Sequence, residues 1–288
     1  MRRFLVGSVF LVMMSCSKQY AEDEVPAYLY IENFTLETNY LKQGTNSSNI
    51  SDVWVFVNDQ TIGVFELPAT IPILTEGNQK LSLLAGIKKN GISNNRDDYF
   101  FYAPHEINQN FVRRSVDTLR PVITYSEAAD FVWQEDFEDL TFRFDTSAAS
   151  GVKLERTALA TERYEGKASG QIKLNSSNNY FEARSAEKLK LNGGGLPVYL
   201  EMDYRCNQAF EIVLWGYLPN AVVNEVQVVV VNSSTERYGS NYNKIYVDLA
   251  PAIGYLNQST DFRIAIVASY DNTNTEGLIF IDNLKIVQ

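Results

Sequence analysis

From residue 27 onward, apolar and polar positions alternate in short runs separated by turn residues. The runs recur roughly every 8–12 residues, the spacing of β-sandwiches and barrels. They are rich in Tyr and Phe, with 17 and 16 residues in the whole chain, and no helical pattern longer than two turns interrupts them. The pattern therefore predicts an all-β protein. In its first half it predicts strands at residues 28–36, 53–57, 62–67, 80–87, 99–102 and 122–125.

A hairpin is the clearest local prediction in the first half. Val53, Val55 and Val57 share one face of a strand, and Trp54 and Phe56 share the other, so both faces are expected to be covered. The residues 58–60, Asn-Asp-Gln, then form a tight turn into the next strand. About seven short strands within roughly 100 residues are typical of an immunoglobulin-like sandwich. We predict that domain at residues 27–127.

The second half begins after a boundary near residues 126–130 and shows the same alternation. In residues 200–206, Leu, Met, Tyr and Cys alternate with Glu, Asp and Arg. In residues 210–217, Phe210, Ile212 and Leu214 fall in one phase, whereas Trp215 falls in the other. Because side chains of a strand point alternately to its two faces, Trp215 is expected to point away from the core.

Four short motifs give this half a resemblance to a known group of folds. They are the opening run Asp-Phe-Glu-Asp at 136–139, the turn Tyr-Glu-Gly-Lys-Ala-Ser at 164–169, the strands 200–206 and 210–217, and the closing run Phe-Ile-Asp-Asn-Leu at 280–284. In order and spacing the region resembles the jelly-roll domains of carbohydrate-binding modules and their adhesion-type relatives. The resemblance implies a C-terminal jelly roll over residues 130–288. Jelly rolls serve many functions, so it implies a fold more than an activity.

An aromatic ring beside carboxylates and an arginine is the chemistry that a sugar platform needs, because pyranose C–H groups stack on indole while charged groups bind hydroxyls. The sequence predicts such a face from Glu201, Asp203, Arg205, Glu211, Trp215 and Tyr217. A second candidate is the loop 233–243, where Tyr238 and Tyr242 stand among Ser, Asn and Gly, a composition of recognition loops. The alternatives are that another segment covers Trp215 and that the loop is an ordinary exposed hairpin end.

The resemblance also implies a structural calcium ion. In such jelly rolls an acid of the opening strand and an aspartate of the closing strand often bind calcium, and here these are Glu138 and Asp282. Calcium takes six to eight oxygen ligands, so Asp136 and backbone carbonyls would complete the shell. The alternative is that these carboxylates are solvated charges at strand ends.

The first residues of the chain read as an export signal. Arg2 and Arg3 precede an apolar run at 4–14, and Ser15 then precedes Cys16. The run is too short to span a bilayer as a helix, and the segment resembles the signal of bacterial lipoproteins, whose cysteine is lipidated. We expect a signal peptide at 1–15, lipidation of Cys16, an acidic tether at 16–26 and an outer-membrane location. The alternative is an ordinary secretory peptide with Cys16 incidental.

Composition limits the remaining functions. The formal net charge is −10 and no basic stripe is evident, which argues against nucleic acid as a partner. One histidine, His105, and one further cysteine, Cys206, make metal clusters and triads of the serine or cysteine hydrolase type improbable. We therefore expect no enzyme, with a glycosidase-like hydrolase as the remaining enzymatic alternative.

These observations predict a lipid-anchored envelope protein whose jelly roll binds a glycan without catalysis. The rival hypothesis is an accessory lipoprotein of a surface or secretion complex, with a surface protein as its partner. The surroundings of Trp215 discriminate between them, because a ring in a polar groove favours sugar and a broad apolar patch favours protein.

Overall fold

The structure is a computed structural model that describes residues 25–219, 222–235 and 239–288. The predicted signal peptide, Cys16 and most of the tether lie outside these ranges, as does Tyr238. Strands dominate the described chain, as the alternation of apolar and polar residues predicts. Nowhere in these ranges is a helix long and apolar enough to cross a membrane.

The N-terminal strands form a two-sheet sandwich around one apolar core. Its elements are β1 (Ala27–Ile31), β2 (Thr35–Leu36), α1 (Tyr40–Gln43), β3 (Asp52–Val57), β4 (Gln60–Glu66), β5 (Ala69–Ile73), β6 (Gly77–Lys88), β7 (Arg96–Asp98), β8 (His105–Phe111), β9 (Val116–Leu119) and β10 (Val122–Ile123). One sheet has the order β5-β1-β9 and the other β4-β3-β6, with β7 and β8 both paired to β6. The short strands β2 and β10 pair with each other.

The two-sheet sandwich is confirmed, whereas the immunoglobulin-like identity of the domain stays a prediction. In that fold the first, second, fifth and fourth strands share a sheet. Here the first strand, β1, pairs with β5 and runs parallel to β9, while β3 pairs with β4 and β6 in the opposite sheet. Alternation and turn spacing predict a sandwich correctly, but they do not specify which strands become neighbours.

Two local predictions have opposite outcomes. The hairpin is confirmed, because β3 and β4 are joined by Asn58 and Asp59, whose positive φ angles of 51° and 63° suit a two-residue hairpin turn. The predicted strand at residues 99–102 is wrong: these residues form a turn, and Tyr102 makes only an isolated bridge to Tyr125. The aromatic side chains there favour burial, and the turn buries Tyr99 and Phe101 without a strand.

The C-terminal strands form a second sandwich. Its elements are β11 (Phe131–Glu135), β12 (Phe144–Thr146), β13 (Glu155–Thr157), β14 (Ser169–Leu174), β15 (Tyr180–Ser185), β16 (Tyr199–Cys206), β17 (Phe210–Tyr217), β18 (Val223–Val231), β19 (Asn243–Asp248), α2 (Ala250–Tyr255), β20 (Asp261–Ser269) and β21 (Gly277–Val287). The six-stranded sheet has the order β13-β14-β21-β16-β19, with β11 also on β21. The five-stranded sheet has the order β12-β15-β20-β17-β18.

This topology is a jelly roll. The eight strands β14 to β21 divide so that the first, eighth, third and sixth lie in one sheet, and the second, seventh, fourth and fifth lie in the other. All pairings in both sheets are antiparallel. Apolar side chains of the two inner faces fill the core, among them Phe210, Ile212 and Leu214 in the predicted phase. The predicted jelly-roll architecture is therefore confirmed by the strand order itself.

The N-terminal sandwich lies against the outer face of the six-stranded sheet. The segment 39–49, which includes α1, crosses that face: Lys285 Nζ donates to the carbonyls of Gln43 and Thr45, at 2.8 and 3.1 Å. Asn49 donates to the carbonyl of Lys244 at 2.9 Å. The outer face of the five-stranded sheet is consequently the sheet face of the jelly roll that the N-terminal sandwich does not cover.

Candidate functional site

Trp215 lies on the outer face of the five-stranded sheet, which we call the tryptophan face. The alternation in β17 places Glu211, Val213, Trp215 and Tyr217 on this side, because Phe210, Ile212 and Leu214 point into the core. Trp215 is half-buried. The prediction that Trp215 points away from the core is therefore confirmed.

Arg184 of β15 covers the indole of Trp215. Its guanidinium carbon lies 3.2 Å from the ring centroid, a cation–π contact. The intervening strand, β20, presents Ala265 between Arg184 and Val213 in register. A methyl group at that position leaves room for the arginine side chain to cross β20 and reach the ring. The guanidinium of Arg184 therefore occupies the centre of the tryptophan face.

A hydrogen-bonded chain along β15 holds Arg184 in place. Its Nε donates to Glu182 Oε1 at 2.7 Å, and Tyr180 donates its phenol proton to Glu182 Oε2 at 2.9 Å. Burial of Tyr180, and then the hydrogen bond and charge of Glu182, raise the pKa of Tyr180 to about 12. Glu182 is only 8% exposed. Because each of its two carboxylate oxygens accepts one of these hydrogen bonds, the carboxylate is held in one position. The position of Arg184 over the ring is therefore preorganised.

Two nitrogen donors beside the stack have no acceptor. Trp215 and Arg263 are direct cross-strand neighbours, and both Trp215 Nε1 and Arg263 Nε are buried without a hydrogen-bond partner. The other nitrogens of Arg263 contact the carbonyl of Ala186 at 2.6 Å and Asp145 at 3.5 Å. A buried donor without an acceptor costs about 1–3 kcal/mol. The tryptophan face therefore contains two N–H donors that form no hydrogen bond within the protein.

Further charged groups surround the two aromatic rings. Lys188 Nζ lies 4.2 Å from the ring centroid of Tyr217, and Lys190 pairs with Asp261 at 2.8 Å. Glu225 of β18 stands opposite Trp215 in register and is exposed. The face thus combines aromatic rings, carboxylates and cations, the groups that orient a polyhydroxylated ligand.

Glu201 and Asp203, which we predicted on the same face as Trp215, lie on the other sheet. We predicted a single surface from β16 and β17, but the two strands belong to different sheets. Glu201 and Asp203 point outward from the six-stranded sheet and lie under the N-terminal sandwich, with exposures of 0% and 1%. Consecutive strands of a jelly roll alternate between sheets, so period-two alternation shows that a residue points outward without showing from which sheet. A joint face of β16 and β17 is therefore wrong.

Glu201 instead forms a buried ionic cluster between the sandwiches. Its carboxylate lies 3.1 Å from Lys244 Nζ and 3.8 Å from Lys285 Nζ, and it accepts hydrogen bonds from Tyr99 and Tyr125 at 2.8 Å. The contact with Lys244 is an ion pair between two fully buried side chains. We call these five residues the inter-sandwich cluster.

Burial and charge act in opposite directions in the inter-sandwich cluster. Burial opposes ionisation of Glu201, but the two lysines and the phenol hydrogen bonds outweigh it and hold its pKa below the ordinary value. For Lys285 burial dominates, and its pKa falls to about 8. Lys244 keeps a raised pKa, because Asp203 and Glu201 outweigh its burial. The cluster therefore depends on the negative charge of Glu201.

Arg205 and Tyr242 lie together at the end of the six-stranded sheet. The guanidinium of Arg205 lies 5.3 Å from the Tyr242 ring and donates to the carbonyls of Thr161 and Ser240, at 3.0 and 2.9 Å. Tyr242 donates to the carbonyl of Glu162 at 2.6 Å. These bonds hold neighbouring loops, so neither residue joins Trp215.

The three predicted calcium ligands do not converge. Asp282 accepts from Ser169 at 2.6 Å and from the backbone N–H of Asn283, and its burial raises its pKa to about 8. Glu138 accepts from the N–H of Lys167, whereas Asp136 accepts from the phenol of Tyr40. Among the described residues, no group of three or more His, Cys, Asp or Glu side chains is placed to hold a metal ion. The side chains as placed do not fit calcium, whose binding stays a prediction.

Sequence reasoning missed Tyr180, Glu182, Arg184 and Arg263. A signal was present in β15, where these first three residues alternate with Phe181, Ala183 and Ser185 in the period of a half-covered strand. The alternation resembles that of β17. It does not show that the two strands belong to one sheet, which only the fold provides.

The chain was also compared with known proteins. No protein-family model matches it, and no curated protein matches it. Among solved structures it is similar to the CBM22-1 and GH10 modules of xylanase 10B from Clostridium thermocellum, at 14% identity over 55% of this chain and 28% of that one, with a TM-score of 0.36. It is also similar to a xylan-binding domain from CBM 22, at 13% identity over 56% and 96% of the two chains, with a TM-score of 0.38. A family 29 carbohydrate-binding module matches at 15% over 55% and 87%, with a TM-score of 0.34. At this level of similarity the matches bear on neither ligand nor activity.

Proposed function

We propose that this protein binds a glycan, without catalysis, on the tryptophan face of its jelly roll. The observation that carries the proposal is the preorganised group of Trp215, Arg184, Glu182 and Tyr180 on the uncovered sheet. Indole and phenol rings offer stacking surfaces, and fixed charged groups offer hydrogen bonds to hydroxyls. The surroundings of Trp215 are polar and charged, which favours a sugar over a protein partner.

We further propose that a lipid on Cys16 carries the protein on the outer membrane, with residues 16–26 as a tether. The support is the sequence of the first 26 residues alone. A single shallow site buries few ligand atoms, so we expect weak affinity for one glycan chain. Presentation of many copies on a membrane would strengthen binding through multivalency.

A glycan-array screen of the full chain tests the proposed function, with Trp215→Ala as the key variant. We expect the variant to lose about tenfold or more in affinity, equivalent to about 1.4 kcal/mol, because it removes the indole ring that supports Arg184 and packs at the centre of the site. Trp54→Ala is the matched control, since Trp54 is also half-buried on an outer sheet face but lies in the N-terminal sandwich. Equal losses in the two variants, or no binding of any glycan by the wild-type chain, would refute the proposal.

A second candidate function rests on the edge strand β18. It ends the five-stranded sheet, and Val223 and Val230 are 37% and 43% exposed. An exposed apolar edge can pair with an extended segment of another protein. This feature favours the rival hypothesis of an accessory protein in a surface complex. Retention of partner binding in Trp215→Ala, with loss in a Val230→Lys variant of the exposed edge, would support it.

A further inference from the structure

We propose that the tryptophan face selects anionic glycans, in which carboxylate groups bind Arg263 and Arg184 beside Trp215. This inference rests on the proposed glycan binding and names its ligand class. It is carried by the cations that lie on both aromatic rings and by the two unpaired donors at Trp215 and Arg263.

The first argument concerns the aromatic rings. Arg184 lies over Trp215, and Lys188 lies over Tyr217. A neutral sugar that stacks on either ring has to displace the cation and so loses the attraction between that cation and the ring. An anionic sugar can leave the cation in place, because its carboxylate pairs with the outward edge of the guanidinium or ammonium group. The observed stacks therefore favour a ligand with negative charge.

The second argument concerns unused donors. Trp215 Nε1 and Arg263 Nε are buried without acceptors on neighbouring, in-register residues. A carboxylate has two oxygens and about four lone-pair sites, so once the side chains that cover these nitrogens shift, it can accept from both donors. Charge-assisted hydrogen bonds of this kind are roughly twice as strong as neutral ones. A hydroxyl group of a neutral sugar would satisfy the same donors less well.

The third argument concerns the distribution of charge across the face. Cations concentrate on the side of β15 and β20: Arg184, Lys188, Lys190 and Arg263. Three of these cations already have an anionic partner: Glu182 holds Arg184, Asp261 holds Lys190, and Asp145 lies 3.5 Å from Arg263. The fourth, Lys188, lies on the ring of Tyr217 and leaves this side with a surplus of one positive charge. Glu211 and Glu225 lie on β17 and β18, on the opposite side. The acidic groups of a bound glycan are therefore directed toward β20, although the chain as a whole carries a net charge of −10.

Matched pairs of polysaccharides test this selectivity, because esterification removes the charge and keeps the sugar. Affinity electrophoresis of the full chain would compare polygalacturonate with its methyl ester, and alginate with its propylene glycol ester. We expect at least tenfold tighter binding to the free acid of one pair or both, and weakening in high salt as exposed charges are screened. Arg263→Gln should remove most of that preference. Lys173→Gln, an exposed lysine of the six-stranded sheet, is the charge-matched control and should not change it.

Arg184→Gln provides a second variant should Arg263→Gln unfold the chain, and a melting curve shows whether each variant is folded. We expect Arg184→Gln to weaken binding of the acid and to leave or improve binding of the ester, because it uncovers the indole ring. Equal binding of acid and ester would overturn the selectivity while leaving glycan binding intact. Binding to dextran sulfate as tight as to the acids, with no effect of Arg263→Gln, would also overturn it by showing non-specific attraction. Absence of binding to every polysaccharide and array glycan would refute both proposals.

Discussion

Replacing Glu201 by glutamine is expected to lower the free energy of unfolding by about 3–5 kcal/mol, the usual cost of removing one partner from a buried ion pair. Glutamine keeps the size of the side chain and one hydrogen-bond acceptor, so the loss in the free energy of unfolding measures the contribution of the negative charge on Glu201. Without it, Lys244 and Lys285 remain buried, and the carboxylates left to act on them are Asp203 and, for Lys285, Glu165. Burial itself already raises the pKa of Asp203. Urea denaturation at pH 7 measures the change.

The matched control for Glu201→Gln is Glu127→Gln, which removes the same charge from an exposed position. Exposed substitutions of this kind usually change stability by less than about 0.5 kcal/mol. If Glu201→Gln cost as little as Glu127→Gln, the inter-sandwich cluster would not stabilise the fold. That result would also reopen the possibility that the covered face of the six-stranded sheet is accessible.

The second large effect is expected from the N-terminal core. Phe111→Ala removes a fully buried ring of β8 and should cost about 3–5 kcal/mol. We expect the C-terminal sandwich to unfold in the same transition, because Tyr199, Tyr246 and Val287 pack into the N-terminal core. The phenol hydrogen bond between Tyr102 and Tyr246, at 2.9 Å, adds to this coupling.

The coupling can be measured by giving each sandwich its own signal. In a Trp54→Phe background the remaining tryptophans are Trp133 and Trp215, both in the C-terminal sandwich. Phe111→Ala should then shift the fluorescence midpoint and the far-UV circular dichroism midpoint equally. Val112→Ala, at an exposed neighbouring position, should shift neither. A fluorescence midpoint that stays in place while the dichroism becomes biphasic would show two independent units.

The sequence predicts where individual strands lie better than it predicts which strands pair with one another. Alternation located β3, β4, β16 and β17 and placed Trp215 outside the core, since this information lies within each strand. Pairing depends on contacts between distant residues, and so the joint face of β16 and β17 was predicted wrongly. Polar strands such as β8, with the sequence HEINQNF, were missed because apolar alternation is weak there.

One feature of the sequence does indicate that the six-stranded sheet is covered on its outer face. The closing strand β21 is almost continuously apolar and yet includes Asp282 and Lys285. A strand without alternation indicates cover on both faces, and a lysine within it requires a buried counter-charge. Together these features suggest that the six-stranded sheet is covered. They do not identify Glu201 as the partner or the N-terminal sandwich as the cover.

The central claim is that ligand binds the tryptophan face rather than the six-stranded sheet. Hydrogen exchange of the full chain, with and without an oligogalacturonate and separately with a xylo-oligosaccharide, tests it most directly. The account predicts slower exchange in β15, β17 and β20 when glycan binds, and unchanged exchange in β16 and β19. Protection confined to β16 and β19, or no protection in either sheet with either probe, would contradict it.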